Sequence, residues 1–202
     1  MVSMTRFGPT QRGGPVFRWL GEPLALDLAN TVMVIREGEP IDLLASPEGV
    51  SPWLETERPR LGGGAIHADD LPRLCDLRDA VRELLTAVAE ERAPRSEAIE
   101  HVNAASAGAP VAPQLVTARG GDLQRTEKVE EGGALTLALG ALARSTISIL
   151  TSPERDQLEI CRAPSCGMFF LGKRRWCCAA CGNRARAARH YRRVKGTVAS
   201  PS

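Results

Sequence analysis

A chain of 202 residues with 43% hydrophobic and 25% charged content has the composition of a folded protein, long enough for one main core and a small appended module. Aromatic residues are scarce at 4%, and no uninterrupted run of eighteen or more apolar residues occurs, so neither a membrane span nor a secretory leader is expected. The formal net charge of +2 conceals an asymmetry: ten Lys or Arg and no Asp or Glu follow residue 160, which leaves a balance of −8 on the first 160 residues.

In chain order, residues 1–15 are rich in Gly and Pro and read as a loose tail. From Phe17 to Val34 the residues Leu20, Leu24, Leu26, Leu28 and Val32 alternate with polar ones, a pattern open to strand or helix. Ser46-Pro47-Glu48 is a helix start, with serine at the cap and proline in the first turn, carrying Val50, Trp53 and Leu54 towards the glycines at 62–64. Residues 68–92 give the clearest helix, because Leu71, Leu74, Leu77, Val81, Leu84, Leu85 and Val88 recur at spacings of three and four. Cys75 sits on it as a small core residue. A shorter helix is expected from Ser96 to Ala105, a loop over 104–113, and a hairpin over 114–131 turning at Gly120-Gly121. Gly132-Gly133 opens an apolar helix through Leu135, Leu139, Leu142, Ile147 and Leu150, and residues 154–160 read as a linker.

Behind that linker lie two close cysteine pairs, Cys161-x4-Cys166 and Cys177-x3-Cys181, ten residues apart. Zinc accepts four thiolates tetrahedrally, and a tight turn between paired cysteines supplies two ligands at once. A segment too short for its own core is held by such a crosslink. Cys178 offers an alternative to Cys177, since both spacings to Cys181 suit zinc. Met168 to Leu171 and Arg174 to Trp176 suggest a stubby hairpin with Phe169 or Phe170 against the tryptophan, and Cys181 a helix to about Arg193 with Gly182 and Asn183 at its start.

Arg175-Trp176-Cys177 followed by Cys181-Gly182-Asn183-Arg184 and an Arg/Ala-rich tail resembles the CGNR zinc-finger family of bacterial proteins. Leu24 to Thr31, Pro40 to Leu44 and Trp53-Leu54 resemble the opening of the ABATE domain, which usually precedes that finger and is described as a stress-induced transcription regulator by inference. The resemblance favours a helix at Leu24–Thr31 and selects Cys177 over Cys178. The expected fold is thus α+β: a mainly helical N-terminal domain over 16–153 and a treble-clef-like finger over 154–195, with tails at 1–15 and 196–202. One structural zinc held by Cys161, Cys166, Cys177 and Cys181 is the expected cofactor.

Four thiolates and a zinc carry a formal −2, which leaves the last 42 residues at about +8. Lys and Arg contacts to phosphate supply most sequence-independent affinity for nucleic acid. Lys173, Arg174, Arg175, Arg184, Arg186, Arg189 and Arg193 are therefore candidate nucleic-acid contacts, with DNA favoured over RNA and an acidic protein partner as the alternative. Asp27, Asn30 and Thr31 share one helical face and either line a pocket for a small effector or, more commonly for such groups, satisfy buried backbone. No catalytic set is evident, since His67, His101 and His190 are scattered and four cysteines leave zinc no open position. Without an export signal the thiols are expected to meet a reducing compartment, where clustered cysteines favour metal over disulfides, and the expectation is a cytoplasmic, non-enzymatic regulator.

Overall fold

The computed structural model describes residues 19–33, 40–62, 64–129, 132–164 and 166–198. The expected tail over 1–15, the ends Phe17 and Val34 of the first apolar segment, and residues 199–202 lie outside the described residues.

Helix α1 spans Leu24–Ala29 and every residue of it is buried. It is shorter than the expected helical stretch because the chain leaves the helix at Asn30. Thr31 Oγ1 donates to the Leu28 carbonyl at 2.7 Å, and strand β1, Val32–Met33, pairs antiparallel with β2, Ile41–Asp42. Short polar side chains that bond nearby backbone compete with helix continuation. Helix α2, Pro47–Glu57, begins as expected: Ser46 Oγ accepts from the Gly49 N–H at 3.1 Å.

A single 3-10 turn at Ala68–Asp70 leads into α3, Leu71–Ala89, whose Leu74, Leu77, Val81 and Leu85 are fully buried. Helix α4, Ser96–Ala107, runs two residues further than expected, and only three residues then connect it to β3, Val111–Thr117. The hairpin with β4, Leu123–Val129, begins at Val111, inside the expected loop, and turns as predicted at Gly120 and Gly121, whose φ values of 112° and 93° suit glycine. Helix α5, Ala134–Thr151, packs on α1, α3 and α4 and buries Leu135, Leu139, Leu142 and Ile149. With 18 residues and a mean hydropathy of 1.5 it meets the length and composition of a membrane-crossing helix, although no unbroken apolar run marks it, and its place is the middle of the core.

The segment read as a linker is a 3-10 turn, Pro153–Gln157, followed by strand β5, Leu158–Ile160. β5 pairs antiparallel with β6, Phe169–Leu171, placing Leu158 opposite Leu171. The hairpin expected between Met168–Leu171 and Arg174–Trp176 does not form, because β6 takes β5 as its partner. Successive residues of a strand face opposite ways, and β6 uses this fully: Phe169 enters the helical core while Phe170 packs with the cysteines and Trp176. Helix α6 spans Ala179–Val198, starting two residues before Cys181 and continuing beyond Arg193.

Candidate metal centre and basic face

The turn between β5 and β6 delivers Cys161 and Cys166, and the approach to α6 and its first turn deliver Cys177 and Cys181. Their four sulfurs are buried and lie within 4.8 Å of one another. Cys166 Sγ stands 3.6 Å from Cys177 Sγ, Cys177 Sγ 3.4 Å from Cys181 Sγ, and Cys166 Sγ 3.6 Å from Cys181 Sγ. Tetrahedral zinc with bonds of about 2.3 Å separates its sulfurs by about 3.8 Å, whereas a disulfide needs about 2.05 Å. The spacing fits the metal, and all the cysteines are free thiols. Cys178 is outside the group, and Cys177 is the one of the two placed to serve as a ligand.

The electrostatics agree. A hydrogen bond with Cys177 brings the Cys166 thiol down to about 5. The same hydrogen bond, with Cys166 as the partner, and burial push Cys177 up, and burial pushes Cys181 up to about 12. Thiols packed this closely cannot all ionise without a cation among them, and a bound zinc would take the place of the protons on Cys177 and Cys181. Zinc bound here is fully enclosed by protein ligands and supplies cross-linking, with no open position for a substrate.

Two motif residues serve the centre directly. Arg184 is half-buried, and its Nη2 donates to Cys181 Sγ at 2.8 Å, offsetting part of the formal −2 of a zinc tetrathiolate. Of the candidate nucleic-acid contacts it is the one turned inward. Gly182 lies under Trp176: a Cβ there would stand 3.1 Å from the indole Cδ1, tighter than ordinary contact. Asn183 does not cap the helix, which has already begun; it is exposed, and its Oδ1 accepts from Arg186.

The other cations form a basic surface around α6. Lys173, Arg175, Arg186, Arg189 and Arg193 are exposed. Arg174 is tied to the N-terminal domain through an ion pair with Glu22, and its guanidinium sits 4.9 Å from the Phe170 ring centre. Arg175 lies 5.2 Å from the Trp176 ring centre.

The three polar residues of the first helical segment hold protein groups. Asn30 Nδ2 donates to the Phe169 carbonyl at 2.9 Å, and Asn30 Oδ1 accepts from the Phe169 N–H at 2.8 Å, so one amide satisfies both backbone groups of a strand residue 139 positions away. Thr31 bonds its own turn. Asp27 is buried and accepts from Arg60 Nη1 at 3.1 Å, while the same nitrogen donates to the buried Glu57 at 2.7 Å. Burial, reinforced by the Glu57 charge, raises Asp27 to about 7. Sequence reasoning missed Glu22, whose carboxylate accepts from the Leu171 N–H at 3.1 Å and from Arg174. No local pattern marks a residue whose partners lie 149 and 152 positions away.

A family model for ABATE, described as a "putative stress-induced transcription regulator", matches residues 22–153, and a second, for the CGNR zinc finger, matches residues 157–194. No curated protein matches the chain. The two matches fall in the expected order and cover the helical core and the cysteine centre in turn, and the chain belongs to the ABATE family, with a CGNR zinc finger at its C-terminal end.

Proposed function

We propose that the protein is a transcription regulator that binds nucleic acid, DNA in preference to RNA, through the basic face of α6, with zinc holding that helix against the helical domain. The observation that carries this reading is the exposure of Arg186, Arg189 and Arg193 along one side of α6 within a segment that contains no acidic residue. At 100° per residue the three lie within about 60° of one another, close enough to face one phosphate backbone together. The N-terminal domain has the opposite sign of charge and anchors the finger through Asn30 and Glu22. The zinc centre is structural and no catalytic step is assigned to it.

The test is duplex binding by the zinc-loaded chain over a salt series. Replacing Arg186, Arg189 and Arg193 together by alanine should weaken binding and reduce the slope of log affinity against log salt by about two to three units, close to 0.9 for each phosphate that is no longer neutralised. An unchanged affinity and slope would remove the helix from the interface and favour the rival reading, an acidic protein partner.

A further inference from the structure

Beside the outward stripe of α6 lies a cleft of about 450 Å³, walled by α6 on one side and by β5 and the 173–176 segment on the other. Arg162, Lys173, Arg175, Arg189 and Arg192 line it with Trp176, and Glu159 is the carboxylate among the lining residues. Among the described residues none of these five cations makes an ion pair, whereas Arg174, which also lines the cleft, is paired with Glu22, and Arg60, Arg78 and Arg92 are paired with carboxylates elsewhere. Unpaired guanidinium groups converging on one cavity repel one another, and an anion of several charges offsets that repulsion. The volume falls within the range of small-molecule sites and exceeds the needs of a lone phosphate. Trp176 is half-buried and close over Gly182, with the Arg175 guanidinium 5.2 Å from its ring centre, and it adds an aromatic surface to the charged walls.

We infer that this cleft binds a nucleoside phosphate unit, its phosphates on Arg162, Arg189 and Arg192 and its base against Trp176. The inference deepens the nucleic-acid reading, on which it rests, by naming what the strand must present. Bases inside a duplex are stacked on one another and give no face to a tryptophan in a cleft, so the nucleotide that enters is an unpaired one. A free mononucleotide offers the same chemistry without the strand. Arg189 borders both the cleft and the outward stripe, so a strand can pass from one to the other. Arg162 and Arg192 belong to the cleft alone; the legible signal for Arg192 was its position three residues after Arg189, on the same side as the buried Ala185.

The experiment measures anisotropy of a labelled thymidine 15-mer and of a duplex of equal length with the full zinc-loaded chain, with adenosine 5′-monophosphate and inorganic phosphate as competitors. The single strand is expected to bind more tightly than the duplex. Trp176→Leu is expected to lower single-strand affinity about fivefold to a hundredfold, the effect of one base no longer stacked, and to bring the ratio of the two affinities towards one. Should that variant lose zinc, Arg162→Ala with Arg192→Ala, both exposed positions, carries the test through a fall of about 1.4 in the single-strand salt slope. Equal affinity for the two forms, a ratio untouched by Trp176→Leu, or a single-strand slope unmoved by the double variant would overturn the cleft while leaving duplex binding and the proposed function in place. Binding of adenosine monophosphate with no binding of either polynucleotide would keep the cleft as a free-nucleotide site and remove the proposed function. Competition by inorganic phosphate as effective as that by the mononucleotide would overturn the role given to the base, and failure of every probe would remove both readings.

Discussion

Replacing Asp27 by asparagine should change how stability depends on pH in a direction opposite to that of most carboxylates. Asp27 is 2% exposed and shares Arg60 Nη1 with Glu57, which is fully buried. One guanidinium faces two buried carboxyl groups. Burial and the Glu57 charge therefore raise Asp27 to about 7, against about 3.9 in an unfolded chain. Between these values the folded state holds a proton that the unfolded state has lost, so stability falls as pH rises through the folded pKa. From pH 5.5 to pH 8 the integrated loss is about 2 kcal/mol, nearly all of it below pH 7.5. Asp27→Asn does not titrate and keeps an oxygen for Arg60. The wild type should therefore lose about 2 kcal/mol relative to the variant over that interval. Urea unfolding of both proteins at saturating zinc, pH 5.5 to 8, measures the difference, and proton competition for the zinc thiolates cancels between them. A difference constant to within about 0.5 kcal/mol would mean that Asp27 is ionised throughout and that Arg60 outweighs burial, which would refute the reasoning.

Asn30→Ala removes two hydrogen bonds and leaves the Phe169 N–H and carbonyl buried and unpartnered, so a loss of about 2 to 4 kcal/mol is expected, together with faster exchange of the Phe169 amide. Elemental analysis should find one zinc per chain, retained by Cys178→Ser and lost by Cys177→Ser; the reverse pattern would exchange the two ligands. Arg184→Ala strips Cys181 of its cationic partner and should lower zinc affinity about 10- to 100-fold in a chelator competition, while an unchanged affinity would return Arg184 to the surface contacts.

What could be read from the sequence was what is decided locally. Helix α3 announces itself through Leu71, Leu74, Leu77 and Val81, α2 through Ser46-Pro47, the hairpin through Gly120-Gly121, and the metal centre through cysteine spacing. The strand pair β5 and β6 was hidden, because three-residue strands carry almost no period and their pairing is set by what they pack against. The start of α6 at Ala179 has no capping signature in the sequence and is fixed by where Cys177 and Cys181 must stand. Asn30 and Asp27 were visible as polar groups on an apolar segment and Glu22 was not, and the partners of all three, Phe169, Arg60 and Leu171, became neighbours only once the helical core had closed. Arg184, read from the motif as one more surface cation, proved to be spoken for by a sulfur.

Strand β6 is a party wall. Phe169 is a brick of the helical room and Phe170 a brick of the metal room, and a strand cannot shift one face without moving the other. Whatever docking against α1 does to the grip on zinc, zinc must do to the docking by the same factor, since the two equilibria close a thermodynamic cycle. A ligand or partner that loosens α1 from β6 will therefore make the metal easier to remove, and metal starvation will be felt among the helices that never touch a cysteine.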